Sequence, residues 1–137
     1  MRIECRLLSG ILLAMLSLTA AGCGNTSTSL PPTFPVTGTV KYKGGQPVVN
    51  GAILFVSVAD SSFAVSGDVK EDGSYVLHTV KGNERASGAP EGEYRVTIQP
   101  PIPEDHRAVP AIALEKTYRV EAKENSLSFE VPLPAKK

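Results

Sequence analysis

The sequence is poor in the residues on which several classes of small protein depend. It has no tryptophan, only two cysteines, and four residues each of tyrosine and phenylalanine among 137 residues. Two cysteines cannot form a disulfide-rich scaffold or a four-cysteine zinc site. The 14 basic and 14 acidic side chains balance, and no basic cluster precedes the terminal Lys136 and Lys137. We therefore expect no nucleic-acid partner, because such a partner requires a concentrated positive surface.

Long hydrophobic runs are also missing, with one exception near the N-terminus. Residues 7–18 form a mostly apolar run, and Arg2 and Arg6 precede it. A membrane-spanning helix needs roughly 20 apolar residues, so this run is too short to cross a bilayer. A positive start, a short apolar core and small residues after it are typical of an export signal. We predict a signal peptide over residues 1–22.

Small residues lead into Cys23 in the segment Ala20-Ala21-Gly22-Cys23. This segment resembles the bacterial lipobox, in which the cysteine thiol receives a lipid, although Ala20 stands where the lipobox usually has leucine. The resemblance predicts lipidation of Cys23. Because Gly24 is not aspartate, it also predicts an exported chain that is lipid-anchored to the cell envelope at the outer membrane. The alternative is cleavage by an ordinary signal peptidase, which would leave Cys23 as a free thiol.

Composition divides the mature chain into three parts. Residues 23–35 are mostly small, polar or proline, which is typical of a flexible linker that spans on the order of 20 Å. Residues 36–132 have the pattern of one folded domain, and residues 133–137 form a C-terminal tail. Without the three charged residues of the leader, the chain keeps 12 basic and 13 acidic side chains, a net charge of −1.

Short segments of the folded part have the alternation or the composition of β-strands. Residues 36–42 and 93–98 alternate apolar with polar side chains, whereas 52–58 is almost wholly apolar, as expected of a strand buried on both faces. Lys70-Glu71-Asp72-Gly73 has the composition of a hairpin turn. The remaining predicted strands cover 63–69, 74–80, 118–122 and 127–131, and 81–92 is predicted as a loop. The pattern predicts an all-β fold, a single seven-stranded antiparallel β-sandwich of immunoglobulin size.

Five segments resemble one protein family in their order and spacing. They are 36–40 (Val-Thr-Gly-Thr-Val), 45–48 (Gly-Gln-Pro-Val), 50–55 (Asn-Gly-Ala-Ile-Leu-Phe), 72–77 (Asp-Gly-Ser-Tyr-Val-Leu) and 91–98 (Glu-Gly-Glu-Tyr-Arg-Val-Thr-Ile). Together they resemble the carboxypeptidase regulatory-like domains, which are transthyretin-like (prealbumin-like) sandwiches common in exported bacterial proteins. The resemblance extends from Val36 to Val131 and implies an accessory domain without a catalytic centre.

Two groups of enzymes have related sandwiches, and the sequence has the pattern of neither. Hydroxyisourate hydrolases end in Tyr-Arg-Gly-Ser and use paired histidines, whereas this chain ends in Pro-Leu-Pro-Ala-Lys-Lys. Intradiol dioxygenases bind iron through two tyrosines and two histidines, and those histidines lie close together in sequence. His78 and His106 are 28 residues apart. We therefore expect no catalytic activity, no cofactor and no small-molecule substrate.

The other polar clusters each have a structural alternative. His106 with Glu104 and Asp105 could bind a metal, but contiguous loop residues more often form a solvated charge cluster. His78 is expected to face solvent on its strand. The carboxylates near the hairpin turn lack the spacing of a calcium loop, and no G-x-S-x-G elbow surrounds Ser74. These carboxylates are Asp68, Glu71 and Asp72. We predict no metal site among these residues.

The segment from Pro100 to Glu115 contains four prolines and several apolar residues without an assigned strand. It is either a contact surface or a crossover between sheets whose apolar residues pack over one end of the domain. The apolar residues are Ile102, Val109, Ile112 and Leu114.

These patterns predict a membrane-anchored exported lipoprotein whose non-catalytic domain is a structural or protein-interaction module of the cell envelope. Its predicted partners are the membrane, through the lipid on Cys23, and an envelope protein. The alternative is a carbohydrate-binding module at the cell surface. Sugar sites commonly present exposed aromatic side chains, whereas all four tyrosines lie on predicted inward faces.

Overall fold

Residues 29–134, which a computed structural model describes, form an all-β structure without a helix. The predicted signal peptide 1–22, Cys23 and residues 135–137 lie outside the described residues. No described residue belongs to a helix that could cross a membrane. The strands are β1 (Thr33–Phe34), β2 (Val36–Tyr42), β3 (Ala52–Ser57), β4 (Ala64–Asp68), β5 (Ser74–Val76), β6 (His78–Lys81), β7 (Glu84–Ser87), β8 (Ala89–Pro90), β9 (Gly92–Gln99), β10 (Ile112–Val120), β11 (Asn125–Ser126) and β12 (Phe129–Val131).

The strands form sheets of six, four and two strands. The largest is antiparallel, in the order β10-β9-β3-β4-β6-β7. The second surrounds β2, which is antiparallel to β5 but parallel to β11 and β12, and β1 pairs with β8. The all-β class is confirmed. The predicted seven-stranded antiparallel sandwich is not confirmed, because the strands are shorter and more numerous and two pairings are parallel.

Several predicted elements have other bounds in the structure. The predicted strand 118–122 belongs to β10, which begins at Ile112 and ends at Val120, and only residues 129–131 of the predicted strand 127–131 form β12. The predicted strand 74–80 is split into β5 and β6, because the chain passes from the sheet around β2 into the six-stranded sheet. Buried Leu77 lies at this crossing. The predicted loop 81–92 instead contains β7 and β8, and Gly82, with a φ of 58°, lies in the turn between β6 and β7. The hairpin predicted at Lys70–Gly73 is confirmed by the hydrogen bond from the Gly73 N–H to the Lys70 carbonyl.

The expectation that residues 52–58 are buried on both faces is wrong. In β3, Ile53 and Phe55 are buried, whereas Leu54 and Val56 are 42% and 44% exposed. The outer face of the six-stranded sheet is open to solvent at these positions. The strand is therefore half-buried, and its apolar outward residues conceal the alternation in the sequence.

The two larger sheets share one apolar core. Phe129 on β12 packs against Phe55 of β3 and Tyr118 of β10, with ring centroids 6.0 and 4.9 Å apart. It also stacks on Tyr75 of its own sheet at 6.1 Å. Because these rings come from both sheets, Phe129 joins the sheets directly.

Gly38 on β2 leaves room for a neighbouring backbone. A Cβ at this position would collide with the carbonyl oxygen of Leu127. The same oxygen accepts a hydrogen bond from the buried Tyr75 hydroxyl at 2.5 Å. A side chain at position 38 would therefore disturb both the backbone contact and the tyrosine.

Buried Asn125 fixes the turn between β10 and β11. Its Oδ1 accepts a hydrogen bond from the Glu121 N–H at 2.9 Å, and its Nδ2 donates to the Glu121 and Lys123 carbonyls. Its backbone N–H donates to the Pro35 carbonyl at 2.9 Å. One residue thus connects this turn to the start of β2.

Paired backbone begins inside the segment predicted as linker. β1 pairs with β8, and the Leu30 N–H donates to the Glu84 carboxylate on β7 at 3.0 Å. Gly88 has no Cβ that would collide with the Phe34 carbonyl oxygen. The linker therefore meets the fold beside β7 and β8, ahead of the domain start predicted at Val36.

Replacing Phe129 with alanine should lower the free energy of unfolding by about 3–5 kcal/mol, because a ring buried between two sheets leaves a cavity. Urea denaturation of the full chain in mild detergent measures this loss. Leu54→Ala is the matched control, since Leu54 is 42% exposed and should lose much less. Equal losses in the two variants would contradict the role assigned to Phe129.

Candidate functional site

A large concave surface, which we call the end groove, lies where β2 and β12 end. Its volume is about 810 Å³, within the range of ligand-binding pockets. It includes much of the segment predicted as either a contact surface or a crossover. The lining residues are Tyr42, Pro100, Pro101, Pro103, Arg107, Ala108, Val109, Pro110, Ile112, Pro132, Leu133 and Pro134.

The sheet topology brings three separate segments to the end groove. β2 and β12 are parallel, with Val131 beside Tyr42, so both strands end at the same place. Residues 132–134 continue directly from β12. The third segment is the loop 100–111, which connects β9 to β10. The groove is thus built from residues that are far apart in sequence.

The Gln99 side chain holds the loop 100–111 in position. Its Nε2 donates hydrogen bonds to the carbonyls of Pro100 and Val109, at 3.3 and 3.0 Å. These two carbonyls lie at opposite ends of the loop. Gln99 is itself the last residue of β9, so the amide ties the loop to the six-stranded sheet.

The end groove is mostly apolar and carries little free charge. Its charged lining residue is Arg107, whose Nε donates to the Asp105 carboxylate in an exposed ion pair. Burial raises the pKa of the Tyr42 hydroxyl above its ordinary value, so the phenol stays neutral at physiological pH. A binding partner with a neutral, apolar surface would therefore fit this lining better than an ionic ligand would.

The two histidines lie on separate elements. His78 is half-buried on β6, between Ser66 of β4 and Ser87 of β7, so its predicted exposure is only partial. His106 lies in the exposed loop with a φ of 55°, and its backbone N–H donates to the Pro103 carbonyl. Among residues 29–134, no group of three or more His, Cys, Asp or Glu side chains could hold a metal ion.

The acidic residues near the hairpin belong to the turn. Asp72 Oδ1 accepts hydrogen bonds from the hydroxyl and the backbone N–H of Ser74, at 2.6 and 2.9 Å. Both hydrogen bonds hold the pKa of the Asp72 carboxyl below its usual range, and the bond from the Ser74 hydroxyl contributes more than the bond from the N–H. The Ser74 hydroxyl is therefore engaged in the turn. Asp68, Glu71 and Glu104 are exposed.

None of the eight aromatic side chains is exposed, and all eight lie within residues 29–134. Tyr75 and Tyr94 are buried, and their hydroxyls donate to backbone carbonyls at 2.5 and 2.8 Å. Burial raises the pKa of both hydroxyls, that of Tyr94 to about 12. The inward position predicted for the tyrosines is confirmed for these two, and Tyr42 and Tyr118 are half-buried.

No protein-family model, curated protein or solved structure matches the chain. The resemblance to carboxypeptidase regulatory-like domains therefore stays a prediction from the sequence. The end groove and the N-terminal sequence are the features of the chain that bear on its function.

The sequence gives little sign of how the end groove is assembled. Gln99 has the pattern of a polar residue at the end of a strand, and nothing local indicates its contact with Val109. Tyr42 has the pattern of an inward strand residue, and the groove beside it depends on where the loop folds. The prolines of the loop are a visible signal, but their proximity to residues 132–134 arises only in three dimensions.

Replacing Gln99 with alanine should loosen the loop, because the two carbonyls lose their shared donor. Trypsin should then cleave after Arg107, whose side chain is 67% exposed, several-fold faster than in the parent chain. Mass spectrometry of the fragments over time measures the rate. Gln46→Ala is the matched control, because Gln46 lies in the exposed turn after β2 and should leave the rate unchanged. Unchanged cleavage of Gln99→Ala would contradict this role.

Stability should depend on the protonation of buried Tyr94. Its pKa rises from an ordinary value near 10 to about 12 on folding, so its contribution is complete below pH 10 and is lost as the pH approaches 12. The free energy of unfolding of the parent should fall more steeply over this interval than that of Tyr94→Phe. The lysines titrate in the parent and in Tyr94→Phe alike, so their effect cancels when the two unfolding free energies are subtracted. Parallel pH profiles from urea denaturation would refute the prediction.

Proposed function

We propose that this chain is an exported lipoprotein, anchored at the outer membrane by a lipid on Cys23, whose domain binds an envelope protein through the end groove. The domain is proposed to be a transthyretin-like sandwich of the carboxypeptidase regulatory-like type. The contact of Phe129 with rings from both larger sheets supports the sandwich. The apolar end groove, with its charge paired, is the observation that carries the proposed binding function.

The position of the end groove also supports a partner that is separate from the anchoring membrane. The linker meets the fold beside β7 and β8, β1 leads from there into the start of β2, and the groove lies at the other end of this seven-residue strand. At roughly 3.3 Å per residue, the two ends are on the order of 20 Å apart. A partner could therefore occupy the groove while the lipid on Cys23 stays in the bilayer.

The carbohydrate-binding alternative has less support. A sugar platform needs an exposed aromatic ring, whereas all eight aromatic side chains are buried or half-buried. Catalysis has no support either, because the Ser74 hydroxyl is bonded to Asp72 and the two histidines lie on separate elements. We therefore propose a binding role without enzymatic activity.

A photoreactive benzoylphenylalanine in place of Ala108, in the end groove, should trap an envelope protein in intact cells. The matched position is Asn83, which is exposed in the turn between β6 and β7. We expect a discrete adduct from position 108 but not from position 83, and we expect it to disappear when Leu133→Asp is added. Cys23→Ser should move the chain from the membrane fraction to the soluble fraction.

Mass spectrometry identifies both the trapped protein and the mature N-terminus. Equal adducts from the two positions, or none from position 108, would contradict binding through the end groove. An unlipidated mature chain, or unchanged membrane fractionation of Cys23→Ser, would contradict the anchor. The two parts of the proposal are thus tested separately.

A further inference from the structure

The outer face of the six-stranded sheet carries apolar side chains that are open to solvent. Val56 of β3 and Val80 of β6 are 44% and 39% exposed, and Leu54 of β3 is 42% exposed. β4 lies between β3 and β6, and its exposed Ala64 stands opposite Val80. Because alternate residues of a strand share a face, these four side chains form an apolar strip across three neighbouring strands. We call them the outer strip.

An arginine borders the outer strip at each side. Arg95 of β9 stands opposite Val56, and Arg85 of β7 stands opposite Val80. Directly opposite residues of antiparallel strands share a face, so both arginines belong to the outer face. Four strand spacings separate β9 from β7, which places the two arginines roughly 19 Å apart. Both are exposed, and neither makes an ion pair with another of the residues 29–134.

The acidic residues of this face lie outside the row that joins the two arginines. Glu93 stands opposite Arg119, near the start of β9, and Asp68 is the last residue of β4. Glu115 lies beside Lys116 in the irregular part of β10. The row is therefore apolar in its middle and positively charged at both ends.

The chain enters the fold at the edge of the same sheet. The Leu30 N–H donates at 3.0 Å to the carboxylate of Glu84, which precedes Arg85 on the edge strand β7. Leu30 follows Cys23 by seven residues, which reach at most about 25 Å when fully extended. A lipid on Cys23 would therefore hold this edge of the sheet close to the bilayer.

We propose that the outer face of the six-stranded sheet lies on the anionic surface of the anchoring bilayer. This inference rests on the proposed lipid anchor and adds a second contact with the same membrane. The guanidinium groups of Arg85 and Arg95 bind lipid phosphates, which their planar arrays of N–H donors match. The outer strip between them contacts the boundary between head groups and acyl chains. Because the lipid confines the domain, the effective concentration of the surface is high and even a weak contact forms.

A tryptophan introduced at one position reports on that position alone, because the chain has no tryptophan of its own. Val56→Trp probes the outer strip, and Val76→Trp, at a 38% exposed position on β5 of the four-stranded sheet, is the matched control. The lipidated chain is reconstituted into vesicles of equimolar phosphatidylglycerol and phosphatidylcholine. The emission of Val56→Trp should shift to shorter wavelength, and brominated acyl chains should quench it several-fold more strongly than that of Val76→Trp.

Charge reversal tests the two arginines in the Val56→Trp chain. Arg85→Glu together with Arg95→Glu should abolish the shift, because the carboxylates repel anionic lipids. Arg85→Lys together with Arg95→Lys keeps the charge and should retain most of the shift, which separates a lost charge from a misfolded domain. Vesicles of phosphatidylcholine alone should give a much smaller shift.

Flotation of the chain with the vesicles measures the anchor separately from the outer face. Flotation with equal quenching at positions 56 and 76 would leave the anchor standing and overturn the inference. Quenching that survives both glutamate replacements, or that is equal in phosphatidylcholine alone, would also overturn it. A chain that does not float would contradict the anchor and the inference together. A shift at position 56 that appears without vesicles and grows with protein concentration would instead assign the outer face to a second copy of the chain.

Discussion

The contact of Phe129 with aromatic rings from both larger sheets is the interaction on which the rest of the structure depends. Residues 29–134, which form both sheets, contain no cysteine, so no disulfide joins one sheet to the other. The sheets are joined instead by apolar burial, in which Phe129 contacts Phe55 and Tyr118 across the core. β12 also runs parallel to β2 and leads directly into residues 132–134. The packing that stabilises the core therefore also places one wall of the end groove.

Two amide side chains supply hydrogen-bond donors to backbone carbonyls that lie outside the strands. Gln99 donates to the Pro100 and Val109 carbonyls, and Asn125 donates to carbonyls in the turn between β10 and β11. Gln99 is the last residue of β9, whereas Asn125 begins β11 after the turn that follows β10. Both side chains hold irregular backbone in place where no hydrogen bonds between strands are available.

The sequence predicts the local structure of individual segments better than it predicts which strands pair with one another. The hairpin at Lys70–Gly73 and the burial of Tyr75 and Tyr94 follow from local rules, because turn residues and alternation act over a few positions. The apolar outward residues of β3 and the polar β7 mislead the same rules, since a side-chain pattern does not record whether a face is covered. The parallel pairing of β2 with β11 and β12 has no local signature.

The end groove, too, could be predicted from the sequence only in part. The segment from Pro100 to Glu115 has the composition of either a contact surface or a crossover, and the structure contains features of both. Ile112 and Leu114 lie on β10 and pack half-buried against the core, whereas Ile102 is 69% exposed. The end groove also needs Tyr42 and residues 132–134, whose positions depend on tertiary packing. Its proline-rich lining becomes visible only when the prolines of two distant segments are seen together.

The arrangement of β2 has a mechanical consequence. Its first residue follows β1, where the chain enters the fold, and its last residue borders the end groove, so a pull between the proposed lipid and the proposed partner would pass through β1 and then along this strand. The hydrogen bonds from β2 to β5, β11 and β12 cross that direction. They would be loaded together in shear, instead of opening one after another from an end. The domain would then act as a tension-bearing connector, whose resistance to force comes from the direction of its strands as much as from the size of its core.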